Sequence, residues 1–130
     1  MLAFDTNVVV RLLVEDDRTQ VAAAAGALEE ARSSGGAWIA LVVAIETVWV
    51  LSSRYRFDRA QIVSCLRDLL DADAITFEHG DRVERALAAF ASGSADFSDY
   101  VVLESARDAG ALPLLTFDAR PARAAVARTP

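Results

Sequence analysis

Short apolar runs alternate with longer stretches of helical spacing along the whole chain. Leu2-Ala3-Phe4 opens it as a short strand and stops abruptly at the carboxylate of Asp5. Asn7 to Leu13 reads as a short helix, with Val8, Leu12 and Leu13 apolar at helical spacing. Asp17 and Gln20 have capping-box spacing and open an Ala-rich helix that runs through Ala31 and stops at Ser33-Ser34-Gly35-Gly36. Ala37-Trp38-Ile39 predicts a second strand. From Leu41 to about Arg54 the pattern is helical and almost wholly apolar, which predicts a largely buried helix.

After the loop Arg54-Tyr55-Arg56-Phe57, Asp58 and Gln61 repeat the capping-box spacing and start a helix to about Leu70. Its apolar face carries Ile62, Leu66 and Leu69. Ala74 to Phe77 predicts the third strand and Asp81 to Ala91 the next helix, broken at Gly93-Ser94. Asp96 is placed to cap a helix over Phe97 to Ala109 that ends at Gly110. Leu114 to Phe117 predicts a fourth strand, ending on Asp118. The tail from Arg120 to Pro130 shows at most helical character and no convincing strand. Strand–helix alternation of this kind argues for an α/β fold: a three-layer α/β/α sandwich around a short parallel sheet, in one domain spanning residues 1–130.

Composition narrows the picture. At 130 residues, 54% hydrophobic and 25% charged, the chain can bury a core without disulfides. The longest apolar run, Ala37 to Ile45, is too short to span a bilayer and is closed by Glu46. Met1 leads directly into the first strand, so no signal peptide is expected, and the single cysteine, Cys65, excludes an internal disulfide. The expected location is cytoplasmic. The net charge of −6 argues against a broadly basic nucleic-acid surface, although cations at an acidic site would offset it locally. All thirteen basic residues are Arg.

The candidate chemistry lies in the carboxylates. Asp5 and Asp118 each end a short strand, and parallel strands of one sheet would bring both to the same carboxyl edge, where α/β folds bind ligands. As a bland alternative, each caps the helix that follows. Glu46 sits inside an apolar helix with no Arg at helical spacing, so either it stands at a solvated rim or a cation compensates it. Asp96 and Asp99 fall on a first helical turn, where acids are favoured anyway; Asp99 is the better ligand candidate and Asp96 the better cap. An oxygen-rich set suits Mg²⁺ or Mn²⁺ rather than zinc. His79 alone builds no zinc site.

Four segments, in order and spanning nearly the whole chain, resemble a known family. Asp5-Thr6-Asn7 with Val8 to Leu13, Ile45-Glu46-Thr47-Val48-Trp49-Val50-Leu51, Ala95-Asp96-Phe97-Ser98-Asp99-Tyr100 and Leu115-Thr116-Phe117-Asp118 look like the acid-bearing motifs of PIN-domain proteins. More narrowly, they resemble the VapC toxins of type II toxin–antitoxin modules. The resemblance implies a metal-dependent endoribonuclease held inactive by a cognate VapB-type antitoxin. It implies Asp5, Glu46, Asp99 and Asp118, with Asp96 as a further candidate, as ligands of one or two Mg²⁺ or Mn²⁺ ions that activate a water against the phosphodiester. Thr6, Asn7 and Thr116 would support those acids by hydrogen bonding. The family commonly continues past its fourth acid into a helix and a final strand, and Pro121 to Pro130 departs from that pattern.

RNA contacts would have to come from local arginines. Arg54, Arg56 and Arg59 flank the loop after the Glu46 helix with Tyr55 and Phe57 interleaved, a grouping suited either to phosphates and stacked bases or simply to a solvated loop. Arg11, one helical turn past Asn7, is a third candidate. Phosphoryl transfer to a strand-end Asp, as in receiver domains and dehalogenase-like phosphatases, fits poorly: those patterns rely on a Lys, absent here, and the phosphatases on an Asp where Asn7 stands. The non-enzyme alternative is a PIN-like scaffold that binds RNA or protein without cutting. Apolar faces such as Val21/Leu28 and Ile62/Leu66/Leu69 are expected either in the core, in a homodimer, or in a groove for an antitoxin helix.

Overall fold

In the computed structural model, which describes residues 1–118 and 126–130, the leading apolar run becomes a two-residue strand, β1 (Leu2–Ala3). Asp5 caps α1 (Thr6–Leu13), its carboxylate accepting from Val8 N–H at 3.2 Å. Asp17 does the same for α2 (Arg18–Ser33), accepting from Gln20 N–H at 3.1 Å. The chain then passes Gly35 and Gly36, both at positive φ, into β2 (Ala37–Ile39). At Gly36 a Cβ would lie 2.9 Å from the Ala74 carbonyl oxygen, so glycine is required both for its φ and for this close approach.

β2 leads into α3 (Leu41–Ser53), and Asp58 and Gln61 form a complete capping box at the start of α4 (Arg59–Asp71). β3 (Ile75–Phe77) follows. β1, β2 and β3 form one parallel sheet in that order, with Leu2, Ala37 and Ile75 in register and Ala3, Trp38 and Thr76 one step on. α1 packs on α2 and α3, α4 packs on α3 and β3, and α2 reaches β2. Residues Met1–Gly80 make one compact unit around this sheet. Phe4, Val9, Ile39, Leu51, Ile62, Leu66, Leu69 and Phe77 are buried, so the Ile62/Leu66/Leu69 face serves the core.

The second unit, Asp81–Pro130, holds most of α5 (Gly80–Ser92), then α6 (Phe97–Asp108), β4 (Leu114–Leu115) and β5 (Ala127–Arg128). Phe90 and Phe97 meet edge to face at 6.0 Å between ring centroids. Arg82 and Arg85 of α5 reach Asp108 of α6 at 2.8 and 2.5 Å, and Arg85 also reaches Glu104 at 3.0 Å. Arg107 contacts the same Glu104 oxygen at 3.1 Å. Both arginines of α5 hold the Asp108 carboxyl below the usual carboxylate range, Arg82 foremost.

Three expectations are corrected. The helix after β2 is not largely buried: Val42 is 58% and Trp49 69% exposed, because only the face with Ala44, Thr47, Val48 and Leu51 turns inward. The end of the chain does contain a strand, β5, which pairs in parallel with β4. Leu114 N–H donates to the Val126 carbonyl and Thr116 N–H to the Arg128 carbonyl, both at 2.9 Å. Finally, β4 and β5 make a separate two-stranded sheet among the described residues. Backbone pairing among the described residues therefore does not join the strand before Asp5 to the strand before Asp118. The Arg120-to-Ala125 part of the tail, read as helical at most, lies outside the described residues.

Candidate active site

At the carboxyl edge of the three-stranded sheet the register can be followed one row further. Phe4 N–H donates to the Trp38 carbonyl and Glu78 N–H to the Ile39 carbonyl, so Asp5, Ala40 and Glu78 stand together beyond the last paired residues. Asp5 is exposed, and its Oδ1 accepts the Val8 amide at the start of α1. The capping reading of Asp5 is therefore correct as geometry, and it leaves Oδ2 without a protein partner among the described residues.

Thr6 makes the contact that joins two of the expected residues. Its hydroxyl donates to Glu46 Oε2 at 3.2 Å, across forty positions of sequence. Glu46 is exposed, in contrast to the fully buried Thr47 beside it. Of the two readings of Glu46, a solvated rim or a buried charge offset by a cation, the structure takes the rim, and the argument from an unpaired buried acid falls. Proximity supports Glu46 instead: it is hydrogen-bonded to the residue that follows Asp5.

Asn7 faces a cavity of about 400 Å³ between α1 and α2, lined also by Val8, Arg11, Gln20, Ala23, Ala24 and Ala27. Arg11 is already engaged. Its Nη1 donates to the Tyr55 hydroxyl at 2.9 Å and pairs with Asp16, while the Tyr55 hydroxyl donates to Asp16 Oδ2 at 2.8 Å. The Tyr55 bond, more than the Asp16 charge, raises the Arg11 guanidinium above its ordinary value. Tyr55 and then Arg11 pull the Asp16 carboxyl below the usual range. Tyr55 also meets Phe57 edge to face at 6.4 Å, so this aromatic pair is tied into the fold. Arg54 and Arg56 are exposed, and Arg56 adopts φ 56°.

In the second unit, Asp96 is the N-cap residue of α6, and Asp99 Oδ2 accepts the Asp96 amide at 3.0 Å. The helix-start role thus falls on Asp99 as well as Asp96. Thr116 Oγ1 accepts from Asp118 N–H at 3.0 Å, a tight local turn that fixes the backbone of Asp118 as the strand ends. Among the described residues no group of three or more His, Cys, Asp or Glu is gathered closely enough to hold a metal ion.

Comparison with family models gives the decisive observation: a model described as PIN domain matches residues 2–127. The chain belongs to the PIN domain family. Searches of curated proteins and of solved structures returned no match. PIN domains are generally nucleases and typically use divalent metals. Among the described residues, six helices with short parallel strands are the α/β/α make-up expected of a PIN domain. None of the helices among the described residues is long and apolar enough to cross a membrane.

The donor chemistry of the first unit fits a hard cation. Asp5 and Glu46 offer exposed carboxylate oxygens, and the partners found for them, a backbone amide and a hydroxyl, are neutral. Neutral donors orient a carboxylate without cancelling its charge, which keeps it available to Mg²⁺ or Mn²⁺. Sequence reasoning missed Glu78. Its position directly after the third strand was the available signal, because the same position had singled out Asp5 and Asp118.

Proposed function

We propose that this PIN domain is a Mg²⁺- or Mn²⁺-dependent endoribonuclease, the VapC-type toxin of a toxin–antitoxin pair. The observation that carries the reading is the Thr6–Glu46 hydrogen bond, which joins the first two acidic motifs at one place on the sheet edge. Asp5 and Glu46 would hold the ion from this unit, and the resemblance adds Asp99 and Asp118, with Asp96 as a further candidate. A divalent ion held by these carboxylates supplies Lewis-acid activation of water and of the scissile phosphate. Thr6 engages Glu46 Oε2 and the Val8 amide engages Asp5 Oδ1, so each carboxylate would meet the ion with its orientation already constrained. Thr116 would orient Asp118 through its backbone amide.

Arg54 and Arg56, exposed on the loop after α3, would be the arginines that meet RNA phosphates, a reading supported by their exposure and by the commitment of Arg11 to Asp16 and Tyr55. Charge reversal at Arg54 and Arg56 is expected to weaken RNA binding and make its remaining salt dependence shallower, because fewer phosphates are neutralised. The proposed partners are a VapB-type antitoxin and a second copy of the chain. Exposed Val42 and Trp49 on α3 support a partner-facing surface.

The deciding experiment is a nuclease assay on structured RNA with purified protein and added Mg²⁺ or Mn²⁺, alongside Asp5→Ala and Glu46→Gln. Metal-dependent cleavage that disappears in both variants is expected. Cleavage that survives both, or that needs no metal, overturns the mechanism. RNA binding without cleavage under any metal leaves the scaffold reading. Co-purification with the product of the neighbouring reading frame tests the antitoxin.

A further inference from the structure

Asp5, Asp17 and Asp58 cap α1, α2 and α4 from the position just before each helix. α3 has Ala40 at that position, and its side chain offers no acceptor. Its first amide is met from elsewhere. Leu41 N–H donates to Glu78 Oε1 at 2.9 Å, a half-buried bond across 37 residues. Glu78 is placed for this by its own backbone, whose N–H continues the β2–β3 ladder by donating to the Ile39 carbonyl at 2.8 Å. One residue thus binds the end of β2 through its main chain and the start of the next helix through its side chain. His79 then turns the chain away at φ 53°, a left-handed conformation uncommon outside glycine.

Glu46 lies five residues beyond Leu41, about one and a half turns along α3. Over so short a distance a helix is stiff, and a shift or tilt at its start reaches the Glu46 carboxylate undiminished. Glu46 is therefore located from two directions. The Thr6 hydroxyl holds its oxygen, and Glu78 holds the beginning of the helix that carries it. A local cap would satisfy the same amide without reference to the sheet. The long-range acceptor does more, because it refers α3 to the end of β3.

We propose that Glu78 is a positioning residue of the acidic edge: its carboxylate clamps the start of α3 to β3 and so sets where Glu46 stands beside Asp5 and Thr6. The proposal rests on reading that edge as metal-holding. Glu78 itself, with an oxygen committed to Leu41, is assigned no metal.

The test compares Glu78→Ala, Glu78→Gln and the double variant Ala40→Ser/Glu78→Ala by Mn²⁺ titration, amide hydrogen exchange and thermal midpoint. Glu78→Ala is expected to lower Mn²⁺ affinity about tenfold, the usual scale for losing a group that orients a ligand, and to speed exchange over the first turn of α3. Glu78→Gln keeps the acceptor oxygen and should stay close to the parent protein in both. Ala40→Ser gives α3 a cap of its own, so the double variant should regain thermal stability while Mn²⁺ affinity stays low. Should Glu78→Ala fail to fold, the double variant against Ala40→Ser alone carries the same comparison. Unchanged affinity in Glu78→Ala, affinity restored by Ala40→Ser, or an equal loss in Glu78→Gln overturns the proposal. If the parent protein binds no Mn²⁺, the metal reading fails. Hydrogen exchange then decides the clamp separately: exchange accelerated by Ala and not by Gln supports it, and no acceleration removes it.

Discussion

Asp5 and Glu46 near the edge of the three-stranded sheet and Glu104 and Asp108 on α6 have the same chemistry and opposite company. Glu104 and Asp108 meet guanidinium groups, from Arg85 and Arg107 in one case and Arg82 and Arg85 in the other. Asp5 and Glu46 meet a backbone amide and a hydroxyl. Where arginine answers a carboxylate the charge is spent on holding two helices together. Where neutral donors answer it, the group is oriented and its charge remains. The identity of the partner, more than burial, separates structural acids from those fit to bind a cation.

The largest effect expected from this contrast is at Asp5. Asp5→Asn keeps an oxygen that can accept the Val8 amide, so α1 keeps its cap, and it removes the charge. Cleavage and Mn²⁺ binding should fall to background while the urea midpoint stays near that of the parent protein. Full activity in Asp5→Asn would break the contrast, because Asp5 would then be only a cap.

The mirror-image change is Glu104→Gln, which strips charge from a side chain that is 10% exposed and met by two arginines. Arg85 and Arg107 are themselves 39% and 45% exposed and can rehydrate, so the loss should be about 1–2 kcal/mol rather than that of a fully buried pair. Urea unfolding measures it. Mn²⁺ affinity per folded molecule should not change, and a matching drop in affinity would show that the two sets of acids are not separable.

How far this division could be read from the sequence depended on distance along the chain. Asp17 with Gln20 and Asp58 with Gln61 declared their helices because a cap and its target lie three residues apart, and the structure has both helices starting there. Ala37 to Ile39 was legible because Gly36 and the apolar run bound it on both sides. Ala127–Arg128 was not, since two residues carry no period and the pairing with β4 is made by backbone alone. Glu46 was singled out for the wrong reason, burial, when the informative contact was Thr6, forty residues away. Glu78 and the Arg11–Asp16–Tyr55 cluster escaped for a similar reason, since a hydrogen bond across 37 or 44 residues leaves no local spacing to detect.

A milder consequence is in acid. Asp108 and Asp16 both have carboxyl groups lowered in the folded protein, by Arg82 with Arg85 and by Tyr55 with Arg11 respectively. A lowered folded value means the unfolded chain takes up protons first as pH falls. The stability these groups contribute is complete above the unfolded value, about 3.9, and is lost as pH drops through the lower folded value. Asp108→Asn should therefore flatten the fall in urea midpoint below about pH 4 without altering the midpoint's response to Mn²⁺. An unchanged acid limb would mean that the arginine pairing at Asp108 carries little linkage.

The smallest effect is expected beside Glu46. Thr47 is fully buried, and its hydroxyl has no hydrogen-bond partner among the described residues. Neighbours on one helix thus face opposite demands: Glu46 turns outward to Thr6, and Thr47 carries a hydroxyl into the core where nothing answers it. An unanswered buried polar group costs about 1–3 kcal/mol, and valine has nearly the same shape without that penalty. Thr47→Val should raise the urea midpoint by about 1 kcal/mol or less once packing adjusts, with Mn²⁺ affinity unchanged because the Glu46 face is untouched. A gain in stability accompanied by lost affinity would mean that the Thr47 hydroxyl helps to set the Glu46 position, and the inner and outer faces of α3 would then have to be treated as one device.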